Sequence, residues 1–145
     1  MTVVTLGAGV GLTAVPASAA PKKVTKKWST FAGMKELKAV HAGGRYTRSG
    51  KKIVIRGRIT DKARNGWTPG VQFLVYNNGK WTATDPIGIF REPGRTPIDG
   101  QATVPSWNKP EGKFKTLRGT HLKVRELAIS TKKKQPIVGA WKKVF

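Results

Sequence analysis

The sequence contains no cysteine. A fold built from it has no disulfide, no thiolate nucleophile and no thiolate metal ligand, so its core alone must hold it together. Acids are scarce as well: 7 Asp and Glu stand against 28 Lys and Arg, a formal charge of +21. Those acids, Glu36, Asp61, Asp85, Glu92, Asp99, Glu111 and Glu126, are scattered singly. That excludes the dense carboxylate set of a calcium site and gives no spacing that favours the acid pair of a glycosidase. Only two histidines occur, His41 and His121; they lack the clustered His and Cys of a zinc site, and although either could serve as an imidazole base, His41 in an edge segment and His121 at the start of a strand read as structural or surface residues. On these grounds no catalytic residue, no metal ligand and no cofactor is expected.

Charge is missing altogether from the first twenty residues, "MTVVTLGAGVGLTAVPASAA", whereas every charged residue lies at or after Lys22. An apolar run followed by Ala17 and Ala19 has the form of a secretory leader with an A-x-A site, which places a signal peptide over residues 1–19 and cleavage before Ala20. The run is Gly- and Thr-rich and shorter than the roughly 20 apolar residues a membrane helix needs, so no membrane span is expected in the mature chain. A basic n-region is absent, and the reading is that the true leader begins upstream of Met1.

Long helices are excluded from the middle of the chain, where Pro86, Pro93, Pro97, Pro105 and Pro110 fall between Asp85 and Gly112. What is present elsewhere is period two. In "KKIVIRGRITD" Ile53, Ile55, Gly57 and Ile59 face one way and Val54, Arg56, Arg58 and Thr60 the other, as in a half-buried antiparallel strand. In "VQFLVY" Val71, Phe73 and Val75 form a second inward row, and "NNGK" after it is a hairpin turn returning through Trp81. In "HLKVRELAIS" Leu122 and Val124 oppose Lys123 and Arg125, after which the phase shifts to Leu127 and Ile129, which predicts a bulge near Arg125 and Glu126. "FAGMKELKAVHAGG" fits helix or strand, with strand preferred and Gly43–Gly44 as its end. Before it, residues 20–30 carry four lysines and no sustained apolar period, which predicts a flexible basic arm. With 145 residues, five Trp, five Phe and two Tyr, one domain over residues 31–145 with a buried core is expected. Its class is all-β, an antiparallel sandwich of about seven strands.

The order "GKKIVIRGRIT", "PGVQFLVY", "GKW", "HLKVREL", "PIVGAWKKV" resembles small secreted immunoglobulin-like modules of actinobacteria over roughly residues 50–144. In those modules a basic "GKxVxVxGxL" strand precedes a "PGxxVxL" strand, a turn ending in Trp and a closing "LRVR" strand. The Pro-rich "EPGRTPIDGQATV" replaces the "DxxGxF" turn usual in their middle. The resemblance implies an immunoglobulin-like fold and an extracellular, bacterial address. It implies no reaction, because one sandwich supports many functions.

The positive charge is the remaining functional signal. Arg56 and Arg58 project from one strand and Lys123 and Arg125 from another, and one antiparallel sheet would place all four in a single basic field. Lys132, Lys133 and Lys134 in the loop "TKKKQP" and the N-terminal arm add charge that binds through counterion release. Trp67 in "NGWTPG" and Trp107 in "PSWNKP" are candidate stacking residues because both lie in turn-like sequence, whereas Trp81 and Trp141 read as core. The expected partner is therefore an acidic polymer outside the cell: wall polymer, extracellular nucleic acid or acidic polysaccharide. A secreted protein partner, engaged through an exposed strand or the arm, is the alternative.

Overall fold

A computed structural model describes residues 18–30, 34–37, 40–91, 96–97, 102–104, 112–130, 132 and 136–145. In chain order the strands are β1 (Lys23–Ser29), β2 (Val40–Ser49), β3 (Lys52–Asp61), β4 (Trp67–Asn77), β5 (Lys80–Ala83), β6 (Ile87–Gly88), β7 (Phe90–Arg91), β8 (Thr96–Pro97), β9 (Ala102–Val104), β10 (Gly112–Arg118), β11 (His121–Ser130), β12 (Ile137–Val138) and β13 (Lys142–Lys143). A 3₁₀ turn, Lys35–Leu37, precedes β2. No helix among the described residues is long and apolar enough to cross a membrane.

The protein is all-β, with two antiparallel sheets facing each other as in a sandwich. The first has the order β1-β2-β3-β10, with β9 also on β3. The second has the order β12-β11-β4-β5, with β13 on β11 and β6 on β4, and β7 pairs with β8 apart from both. The expected inward rows are the observed ones. Ile53, Ile55 and Ile59 of β3 and Val71, Phe73 and Val75 of β4 lie in one core with Leu122 and Val124 of β11. Fully burying a side chain of this size stabilises by about 1.5–3 kcal/mol, so these rows carry most of the folding free energy. The β4–β5 hairpin turns at Asn78 and Gly79, both at positive φ (49° and 77°), as "NNGK" predicts.

Three expectations need correction. Residues 23–29 are no flexible arm. They form β1, paired with β2 along its whole length from Lys23↔Ser49 to Ser29↔Gly43. Gly43 and Gly44 do not end a strand, because β2 runs through both. No bulge interrupts β11, whose register with β4 is continuous from His121↔Tyr76 to Ser130↔Trp67. Leu127 is buried on the outward side because it lies opposite Gly70, where no side chain competes for the space.

What anchors β1 is Trp28. Its neighbours on the strand are exposed, yet its indole is buried. The pairing aligns Trp28, Gly44, Gly57 and Gly112 across β1, β2, β3 and β10, so three glycines follow the ring in one inner row. A Cβ on Gly57 would collide with the indole, and one on Gly44 with the backbone of Arg56. The indole packs edge-on to Phe73 of the opposite sheet, with centroids 5.2 Å apart, and its Nε1–H donates to the Arg56 carbonyl at 2.9 Å. A Trp filling the space over glycines restores the packing those residues lack. Phe114, at a register shift between Lys113 and Lys115, lies against the same indole, 6.1 Å away.

Candidate functional site

The register that lays Trp28 over glycines on the inside fixes what stands on the outside. One residue along each strand, Lys27 pairs with Arg45, Arg45 with Arg56, and Arg56 with Lys113. All four are exposed. They form one cross-strand row of cations on adjacent strands, spaced about 4.8 Å by sheet geometry and so about 14 Å from end to end. A second row, four residues away along the strands, reads Lys23, Ser49, Lys52, Arg118. Between them lies a row of Thr25, Thr47, Val54 and Thr116, in which the Thr25 and Thr47 hydroxyls share a hydrogen bond of 3.1 Å. Arg58, half-buried, follows on the other side, opposite Gly43.

The only described acid in these four strands is Asp61, which is buried on the inner side and accepts a hydrogen bond from the Ala63 N–H at 3.0 Å. The outer face therefore carries cations with no carboxylate among its described residues. Along its edge runs an open trough of about 800 Å³ lined by Lys27, Arg45, Arg58, Lys62, Lys142 and Lys143, together with His41 and Thr60. Lys142 reaches it from β13 of the other sheet, its Nζ donating to the Ser29 carbonyl at 3.3 Å.

Arg56 and Arg58 thus gain cationic neighbours, but not the expected ones. Lys123 and Arg125 lie on β11, in the second sheet, so the two pairs do not share a face. The expectation of one field failed because period-two patterning fixes which way a side chain points but not which strand lies beside it. Lys123 Nζ sits 4.8 Å from the Trp81 ring centroid. The Arg125 guanidinium lies 4.3 Å from that of Trp141 and donates to Gln72 Oε1 through Nε at 2.9 Å and Nη2 at 2.7 Å. Arg125 is committed to packing and hydrogen bonding within its own sheet. Trp81 and Trp141 are correspondingly not core residues: Trp81 is 40% exposed on the outer face and Trp141 is half-buried beneath Arg125.

Lys132 is exposed just beyond β11, its N–H donating to Ser130 Oγ at 3.1 Å, while Lys133, Lys134, Trp107 and residues 1–17 lie outside the described residues. Trp67 is half-buried at the start of β4, where its backbone N–H donates to Asn65 Oδ1 at 3.1 Å. Sequence reasoning missed Arg45 and Lys113, and counted Lys27 only as part of a flexible arm. The alternation in "GKFKTLR" was the available signal for Lys113. For Lys27 it was the lone Trp at the end of a lysine-rich stretch, an expensive residue for a solvated tail.

Compared with known proteins, the chain matches no family model, no curated protein and no solved structure. The functional reading therefore rests on the chemistry of the faces.

Proposed function

We propose that this is a secreted, non-enzymatic, immunoglobulin-like β-sandwich module of the bacterial exterior that binds acidic polymers through the outer face of β1-β2-β3-β10. The observation that carries the reading is the row Lys27–Arg45–Arg56–Lys113, exposed and with no acid beside it among the described residues. A solubilising surface intersperses both signs of charge, whereas like charges directly opposite on neighbouring strands are destabilising. Four in line are a cost that a bound polyanion removes. Phosphate, sulfate or carboxylate groups would release their counterions to this row, and the two arginines add planar, bidentate grips. The uncharged leader at residues 1–19 supports secretion, and wall association follows from the abundance of acidic polymer there.

The test is retention on an immobilised polyanion as salt rises. Elution only above physiological ionic strength is expected, and elution below it would overturn the reading. Recovery from culture medium bound to one protein at fixed stoichiometry would instead favour a partner at the free edge of β1. Lys23, Lys26 and Lys27 on that edge work against strand addition, as lysines do on protected edges.

A further inference from the structure

The opposite face of the molecule differs in kind. On the outer side of β5-β4-β11, Trp81 pairs with Tyr76, which pairs with His121. The three rings lie close together: Trp81–Tyr76 5.2 Å, Tyr76–His121 5.6 Å and Trp81–His121 6.3 Å between centroids. His121 Nδ1 is 3.1 Å from the Thr120 hydroxyl, which fixes the imidazole, and the Trp81 indole is 40% exposed. The next row brings Lys123 and Lys143 together, paired in register on β11 and β13. No acid occupies an outward position in the described parts of β4, β5, β11 or β13.

We propose that this face is a second binding site, for single-stranded nucleic acid, in which a base stacks on the Trp81–Tyr76–His121 cluster and the adjoining phosphates meet Lys123, with Lys143 at the border between this face and the trough. Charge complementarity selects this occupant. A π-surface bordered by cations and free of carboxylates suits a ligand with flat rings and an anionic backbone. A neutral glycan, by contrast, asks for amide and carboxylate groups around the ring, and Gln72, the outward-facing amide of β4, is already taken by Arg125. The basic face of the other sheet has no Trp, Tyr or Phe among its described outward residues; its one ring there is His41. It reads charge alone, so the two faces are separable by experiment.

The full-length mature chain is titrated with oligo(dT) and, separately, with inorganic polyphosphate of equal phosphate number, at one salt concentration. Oligo(dT) is expected to bind more tightly, and Trp81→Ala to reduce its affinity about tenfold, in the range of a lost base stack, with polyphosphate unaffected. Trp81→Phe, which keeps a ring, should retain most of the difference, and circular dichroism checks that both variants fold. Equal affinity for the two polymers in the wild type, or an oligo(dT) preference untouched by Trp81→Ala, would overturn the proposal. So would displacement of oligo(dT) by a neutral glucan oligomer, which would assign the rings to sugar. Loss of polyphosphate binding alone bears on the basic face and not on this one.

Discussion

Replacing Arg56 with threonine should make the protein more stable while making it bind polyanions less well. Arg56 stands between Arg45 and Lys113 in the row, with no acid on that face among the described residues. Opposed Cβ atoms lie about 5 Å apart, so the splayed charges sit about 7 Å apart. In water each such pair repels by about 0.6 kcal/mol before screening, so two neighbours cost Arg56 about 1.2 kcal/mol. Screening over a Debye length of about 30 Å at 0.01 M leaves about 0.9 kcal/mol, about 8 Å at physiological salt leaves about 0.5, and about 3 Å at 1 M leaves about 0.1. Threonine keeps the β-branched preference of a strand and lacks the charge. Chemical denaturation by urea, which leaves ionic strength unchanged, should therefore show Arg56→Thr more stable than wild type by about 1 kcal/mol at 10 mM salt, with the difference fading toward zero at 1 M. A variant less stable than wild type by the same amount at every salt concentration would refute the reasoning, since it would mean that Arg56 contributes packing rather than unrelieved charge.

Other consequences follow from the same geometry. Trp28→Ala removes a buried indole and its hydrogen bond to the Arg56 carbonyl, and should destabilise by about 3–5 kcal/mol in urea melts, with hydrogen exchange rising first in β1. Gly57→Ala drives a methyl into the Trp28 indole and the Gly43 carbonyl and should destabilise by about 1–3 kcal/mol, whereas a Cβ on Gly79 meets nothing within 4 Å and Gly79→Ala should cost only its positive φ, about 1 kcal/mol. Burial raises the Tyr46 phenol above its usual 10.0, against a smaller lowering by Arg48. The folded state thus favours neutral Tyr46, so its contribution is intact below pH 10 and is lost as pH climbs from 10 through the raised value; Tyr46→Phe should remove that part of the alkaline loss in melts across this window.

The strands that alternate strictly were legible. β3, the second half of β4 and the first half of β11 each bury one row against the facing sheet, and that single constraint writes a period of two into the residues. Less legible was anything decided by a neighbour. Trp28 is a core residue on an otherwise exposed edge strand, so the composition around it reads as a tail. Gly43 and Gly44 read as a stop because the reason for Gly44, a close approach to the Arg56 backbone, lies on another strand. Arg56 was found as a candidate, but its partners were not. The pairing of β2 with β3 through the turn at Gly50 puts Arg45 beside it, the return of β10 puts Lys113 there, and Lys123 belongs to the other sheet.

The most direct measurement is the salt dependence of affinity for inorganic polyphosphate, compared between wild type, Arg45→Thr/Arg56→Thr and Lys35→Thr, an exposed cation of the 3₁₀ turn that belongs to neither face. If the row holds the polymer, the double variant should bind more weakly and the slope of log K against log salt should shrink by about two, one for each lost phosphate contact, while Lys35→Thr leaves the slope unchanged. An equal loss of slope in all variants per charge removed, or none in the double variant, would contradict it, leaving +21 as diffuse charge and the row as surface.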